Sequence, residues 1–200
     1  MTSEEFRKLL LDKSAADIVS DHITGPLPGP FVKQEALDFI SNTARTMFQL
    51  DENAKFCPIV VGSAKLGFSI IEKRGEGEVP KPRYRDYQPG RSDIDVAIVS
   101  SALFGKIWMG LALYGANRTP FPWRSEDLGI YMLHGWLRPD KFPVNGPQAV
   151  QDWDKFLQIL NRSKHFQFLR LRCGLFHSQY FLDIYQQRGV ADAQRAERLA

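Results

Sequence analysis

Two aspartates one residue apart, Asp93 and Asp95, open the apolar run that ends at Val99. Alternate side chains of a β-strand share a face, so on a strand these carboxylates would stand side by side. Like charges at that spacing repel. A hard divalent cation such as Mg²⁺ relieves the repulsion by taking both as oxygen ligands, together with phosphate oxygens. Two acids solvated at the mouth of an edge strand would give the same local pattern. Upstream, Val60-Val61-Gly62-Ser63-Ala64-Lys65-Leu66-Gly67 sets a glycine–serine turn directly after a second apolar run, Phe56 to Val61. Such a turn can offer backbone N–H groups and a serine hydroxyl to a phosphate, with Lys65 adding charge. An ordinary strand-to-helix turn would carry the same residues. Neither GxxxxGK[ST] nor GxGxxG occurs, so a Walker-type or dinucleotide-binding loop is excluded.

Taken in this order, the two motifs resemble the DNA polymerase beta-like nucleotidyltransferase superfamily, in particular its small stand-alone bacterial members. The resemblance covers about residues 56–100. It implies that Gly62 and Ser63, with Lys65 and Ser92, bind a nucleoside triphosphate. Asp93 and Asp95 would be the catalytic carboxylates and would hold two Mg²⁺ ions. The implied reaction is metal-dependent transfer of a nucleoside monophosphate from an NTP or dNTP to an acceptor, with loss of pyrophosphate. A nucleic-acid end, a tRNA, a nucleotide and a protein hydroxyl are all compatible acceptors. The resemblance extends to members of toxin–antitoxin and phage-defence systems, so antiviral defence and a protein partner completing the site belong to the same expectation.

Three departures keep other readings open. Ser63 and Asp93 lie 30 positions apart, which makes 72–92 an insertion; Leu66 stands where members commonly carry Arg; and no third acid follows in an apolar strand. The expected strand at 166–172 presents Arg170 and Arg172, leaving Asp127, Asp140 and Asp183 as nominees, the last in a helical context. A catalytically inactive module that binds a nucleotide or a partner is the alternative. A nucleic-acid-binding module using 72–92 and 162–172, where basic and aromatic residues mix, is the third reading.

The elements that must position these residues follow from periodicity. Thr2 and Glu5 have capping-box spacing, and the apolar stripe from Phe6 to Val19 predicts a helix over 3–20. Three prolines and two glycines make 24–30 a loop. A second helix is expected from Val32 to Gln49, strands at 56–61 and 93–99, and a short helix at 65–71. Residues 72–92 read as irregular, with six basic and four acidic side chains that would meet a triphosphate locally. A helix over 102–116, ordered loop over 117–150, a helix over 148–160, a strand over 166–172 and a final helix from about 176 complete the chain. Trp108, Trp123, Trp136 and Trp153 read as core and loop anchors, and the run 136–139 as a lid candidate. The expected fold is α/β (α+β), a small mixed sheet flanked by helices. It forms one domain over 1–200, with N-terminal helices in 3–50, a core in 56–116 and a helical part in 148–200.

Composition narrows the class. With 44% hydrophobic and 24% charged residues the chain resembles ordinary globular proteins, which excludes a disordered or collagen-like one. A net charge of +3 is too small to name a polyanionic partner by itself. No apolar stretch is long enough to span a bilayer. The start lacks the basic and apolar segments of a signal peptide. Cys57 and Cys173 form no CxxC pair and read as reduced, buried thiols, so the expected compartment is the cytoplasm. The four histidines have no metal-ligand spacing.

Overall fold

Two runs of alternating apolar and polar residues form the middle of a four-stranded sheet. The computed structural model describes residues 1–72, 80–116, 126–166 and 169–199. Its strands are β1 (Cys57–Val61), β2 (Asp93–Val99), β3 (Trp136–Leu137) and β4 (Arg170–Phe176), in the order β1-β2-β4-β3. β2 runs antiparallel to β1 and parallel to β4, while β3 runs antiparallel to β4. A parallel pair needs a long crossover. Here it spans 101–162 and carries α5 (Ser101–Ala116), α6 (Glu126–Leu133) and α7 (Gln148–Arg162). The arrangement is a mixed sheet with helices on both faces, in agreement with the expected α/β (α+β) class.

Register sorts the side chains between two cores. Val61, Asp95 and Arg172 are neighbours across three strands, as are Ile59, Ala97 and Gly174. This face packs beneath α1 (Ser3–Asp12), α2 (Ala15–Ile18), a π-helical turn (Val19–Ile23) and α8 (Gln179–Arg198), through Phe6, Leu10, Ile18, Leu182 and Val190. The opposite face, with Val60, Ile94, Val96, Ile98, Leu171 and Leu175, meets α3 (Gln34–Phe48), α5 and α7 through Ile40, Phe48, Ile107, Trp153 and Phe156. Asp93 and Asp95, with Arg170 and Arg172 beside them on β4, therefore form a charged patch on this face at the end of the sheet where β2 and β4 begin and β1 finishes.

Several elements differ from expectation for local reasons. The capping box of Thr2 and Glu5 is formed, but the first helix stops at Asp12. Lys13 is extended and the Ser14 hydroxyl accepts the Asp17 N–H, capping a new helix instead of continuing the old one. The helix expected over 65–71 is only α4 (Ser63–Leu66), ended by Gly67 at φ 93°. Residues 68–69 turn back onto 84–86, with Ser69 N–H donating to the Arg85 carbonyl. Within 117–150, the described part holds α6, β3 and a 3-10 turn at Pro139–Lys141, and 117–125 lie outside the described residues. The strand expected at 166–172 starts at Arg170: Leu169 N–H donates to the Phe166 carbonyl, and 167–168 lie outside the described residues. Its alternation then continues to Phe176, which delays α8 to Gln179.

Cys57 is half-buried and Cys173 buried, both as free thiols. Trp153 is fully buried and Trp136 half-buried, whereas Trp108 is exposed; Trp123 lies outside the described residues. His177 follows β4 and packs edge-on against Phe104 and Phe181. No described helix is long and apolar enough to cross a membrane.

Candidate functional site

Gly62 leaves β1 at φ 67° and ψ −148°, a conformation that side chains with a Cβ rarely adopt. A Cβ there would also stand 3.4 Å from Asp95 Oδ2. The backbone of the turn thus lies against the carboxylate it precedes by 33 positions in sequence. Ser63 follows as the first residue of α4, and Lys65 N–H donates back to the Gly62 carbonyl.

On β2, Asp93 and Asp95 project to the same face, and β4 sets Arg170 opposite Asp93 and Arg172 opposite Asp95. Asp93 forms ion pairs with both arginines, with Arg170 Nε 3.2 Å from Oδ1 and Arg172 Nε 2.9 Å from Oδ2. The guanidinium side chains are well exposed (71% and 59%) while Asp93 is 20% exposed. Ion pairs so open to water contribute little to stability, about 0–1 kcal/mol. They are consequently easy to exchange.

A polar cavity of about 370 Å³ opens over these groups, lined by Ser63, Ser92, Asp93 and Asp95 on one side and by Lys81, Arg85 and Arg91 among the residues of the preceding segment. Four of the six residues assigned from sequence therefore meet, Gly62 adjoins them through Asp95, and Lys65 does not. The described residues of the basic segment 72–92 supply three cations to the cavity; 73–79 lie outside the described residues. Ser92 also shapes the wall, since its hydroxyl accepts the Gln88 N–H at 3.2 Å and its own N–H donates to the Gln88 carbonyl. Arg85 brings a buried Nη1 with no acceptor among the described residues, a donor in want of an anion.

Tyr87 is a neighbour that sequence reasoning missed. Its ring is buried against Phe31 at 4.4 Å, and its hydroxyl has no partner among the described residues. Burial first, and then the charges of Asp93 and Asp95, push this phenol above its usual range. Only its position between basic residues in an irregular stretch could have drawn notice.

Lys65 is the correction. Its ammonium donates to the carbonyls of Gly25 and Leu27, and burial holds it below the usual lysine range. Gly29, at φ 93°, brings the same loop so close that a Cβ would lie 3.0 Å from Lys65 Cα. The nominated third carboxylates are likewise engaged elsewhere. Asp127 pairs with Lys141 and Asp140 with Arg138, while Asp183 accepts from Thr24 and Gln179. Among the described residues no three His, Cys, Asp or Glu side chains gather as a metal-binding group. A larger cavity of about 420 Å³, beside the 24–28 loop and β1, includes Cys57 and Asp38 but no cationic side chain, so it offers nothing to a phosphate.

Two carboxylates on one face, beside a serine hydroxyl and three cations, are a donor set that fits one hard divalent ion shared with phosphate oxygens. On the β4 flank the neighbours of Asp93 are guanidinium groups in place of a further acid, which argues against a second ion there. No protein-family model matches the chain, and neither the curated proteins nor the solved structures contain a match to it.

Proposed function

We propose that the chain is a nucleotidyltransferase that binds a nucleoside triphosphate, with a divalent cation, in the cavity over Asp93 and Asp95. The observation that carries this reading is the convergence of Ser63, the paired carboxylates and the cations Lys81, Arg85 and Arg91 on one polar cavity. A triphosphate brings several negative charges, and the three cations offer it counter-charge while Ser63 offers a hydroxyl donor. Asp93 and Asp95 would hold a Mg²⁺ ion, which supplies further charge neutralisation at the phosphates when bound. One ion suits the donor set better than the two that the resemblance implies. In the transfer, a bond forms from the acceptor oxygen to the α-phosphorus as the bridging P–O bond breaks. The electron pair leaves on pyrophosphate and the hydroxyl proton goes to water. The contribution of the protein is positioning and electrostatics. Two free thiols are consistent with a reducing, cytoplasmic setting.

Incubation with each α-labelled NTP and dNTP, with Mg²⁺ or Mn²⁺ and a mixed pool of acceptors, tests the reading. The wild type releases pyrophosphate and labels an acceptor; Asp93→Asn/Asp95→Asn loses at least 100-fold of the rate, the order expected when preorganised charge is removed. Equal pyrophosphate release by the double variant overturns the assignment.

A second reading has its own observation, the neutralisation of Asp93 by Arg170 and Arg172. It describes a module that binds a nucleotide without turnover. Saturable nucleotide binding with no pyrophosphate from any triphosphate would select it over the first.

A further inference from the structure

The sheet order separates the site into two flanks. Gly62 and Ser63 lie on the β1 side of the carboxylate pair, and Arg170 and Arg172 lie on the β4 side. In-line displacement puts the leaving and attacking oxygens on opposite sides of the α-phosphorus. With the leaving pyrophosphate toward Ser63, the acceptor approaches along β4, where it meets two exposed guanidinium groups. Guanidinium is matched to phosphate by its fork of donors. Both groups are held by a single carboxylate that a divalent ion would also claim.

We propose that Arg170 and Arg172 form a phosphate clamp for the end of a polynucleotide acceptor, and that Asp93 masks this clamp until a divalent cation takes the carboxylate. The assignment rests on the nucleotidyl-transfer reading for the direction of approach. Asp93 exchanges partners: with no cation it satisfies the two arginines, and with cation bound it releases them to the acceptor phosphates. Cation and acceptor therefore bind with positive linkage, each tightening the other by the same factor. This sign is opposite to the ordinary effect of Mg²⁺, which competes with basic side chains for phosphate and weakens nucleic-acid binding. The two arginines stand on alternate residues of one strand, about 6.6 Å apart along it, so they can engage successive groups of an extended strand.

The test is equilibrium binding of a short fluorescent single-stranded oligonucleotide to the full chain, at constant ionic strength, with and without Mg²⁺, alongside AMP as a competitor. In the wild type Mg²⁺ tightens binding about tenfold, within the usual range of coupling between sites. Asp93→Asn binds tightly without Mg²⁺ and loses the Mg²⁺ response. Asp86→Asn removes the same charge from the same cavity lining and keeps the response. Arg170→Gln/Arg172→Gln loses both the tight state and the response. Its salt slope falls by about 1.4 for two lost single-strand phosphate contacts. Both arginines are exposed, so circular dichroism of this variant should match the wild type.

If Asp93→Asn instead weakens binding in Mg²⁺ and does not tighten it without, the ion bridges protein and strand, and masking is wrong. If the arginine variant binds as the wild type does, there is no clamp. If AMP competes as well as an oligonucleotide of equal concentration, the clamp takes a mononucleotide, and the polynucleotide assignment falls. Nucleotidyl transfer is measured separately. Linkage without any transfer removes the reading and leaves the clamp, whereas transfer indifferent to the arginines does the reverse.

Discussion

Lys65 sits inside the glycine–serine motif, yet its ammonium goes to the carbonyls of Gly25 and Leu27. A cation next to a phosphate-binding turn and a cation fastening a loop look identical in sequence. What separates them is the 24–30 loop, folded against α4 at Gly29. Replacement by alanine removes both hydrogen bonds of a buried side chain. Lys65→Ala should therefore destabilise the protein by about 1–3 kcal/mol, with nucleotide affinity unchanged. Urea unfolding measures the first and titration with a labelled triphosphate the second. An affinity loss of tenfold or more at unchanged stability would return Lys65 to the nucleotide. Gly62, by contrast, stands where the pattern sets a tight turn after a strand, and its positive φ and closeness to Asp95 leave few alternatives to glycine. Asp93 and Asp95 were legible through strand alternation alone. Tyr87 and the pairing of Asp93 to β4 were not, since both arise from contacts between segments that share no local pattern.

At the scale of elements, long periodic segments were readable and their ends were not. The helix expected over 3–20 fails at Ser14 because a side-chain cap competes with the helical hydrogen bond. β4 begins only at Arg170, and Leu169 N–H donates instead to the Phe166 carbonyl, a contact that the apparently alternating run does not announce. The irregular segment before β2 also needs anchoring, and Tyr84 supplies it. Its hydroxyl donates to Glu197 Oε1 at 2.6 Å, while Arg7 Nε lies 2.8 Å from Oε2, so α1, α8 and this segment share one carboxylate. Burial works to raise Glu197, but the hydrogen bonds from Tyr84 and Arg7, with the Arg7 charge, hold it below the ordinary glutamate value of 4.5. A carboxyl depressed in the folded state stabilises the protein above its unfolded pKa. That contribution is lost as pH falls through the folded value. Glu197→Gln should be less stable than the wild type at pH 7 by about 1–2 kcal/mol, chiefly through the Tyr84 bond, because an exposed Arg7 adds little. The difference should narrow as pH drops below 4.5. Thermal unfolding across pH 3–7 measures it, and a gap that is constant with pH would rule out the charge-dependent account.

Across the whole molecule, one sheet carries two cores, and the site lies at the end where strands from both sides of the crossover meet. Sequence could suggest three layers from alternating strands and amphipathic helices. It could not assign helices to faces, because that depends on register: Asp95 shares a face with Val61 and Arg172, and hence with α8. If the sheet couples the cores, loosening either one should open the strands between them. Cys173 can report this. It is buried in β4, and burial, reinforced by the Asp95 charge, pushes its thiol above the usual range, so it reacts with a thiol reagent only when the sheet opens. In a Cys57→Ser background, Phe6→Ala on the α1 side and Phe156→Ala on the α7 side each remove a fully buried ring. Each should cost about 3–5 kcal/mol. At about tenfold per 1.4 kcal/mol, both should speed labelling of Cys173 by roughly 10²–10³-fold or more while reclosing remains fast. Cys173 belongs to the core beneath α7, so Phe6→Ala is the decisive arm. If that variant loses stability in urea but labels at the wild-type rate, the layer of α1 and α8 opens without the sheet. The carboxylate face of the site would then be able to loosen while its strands stay intact.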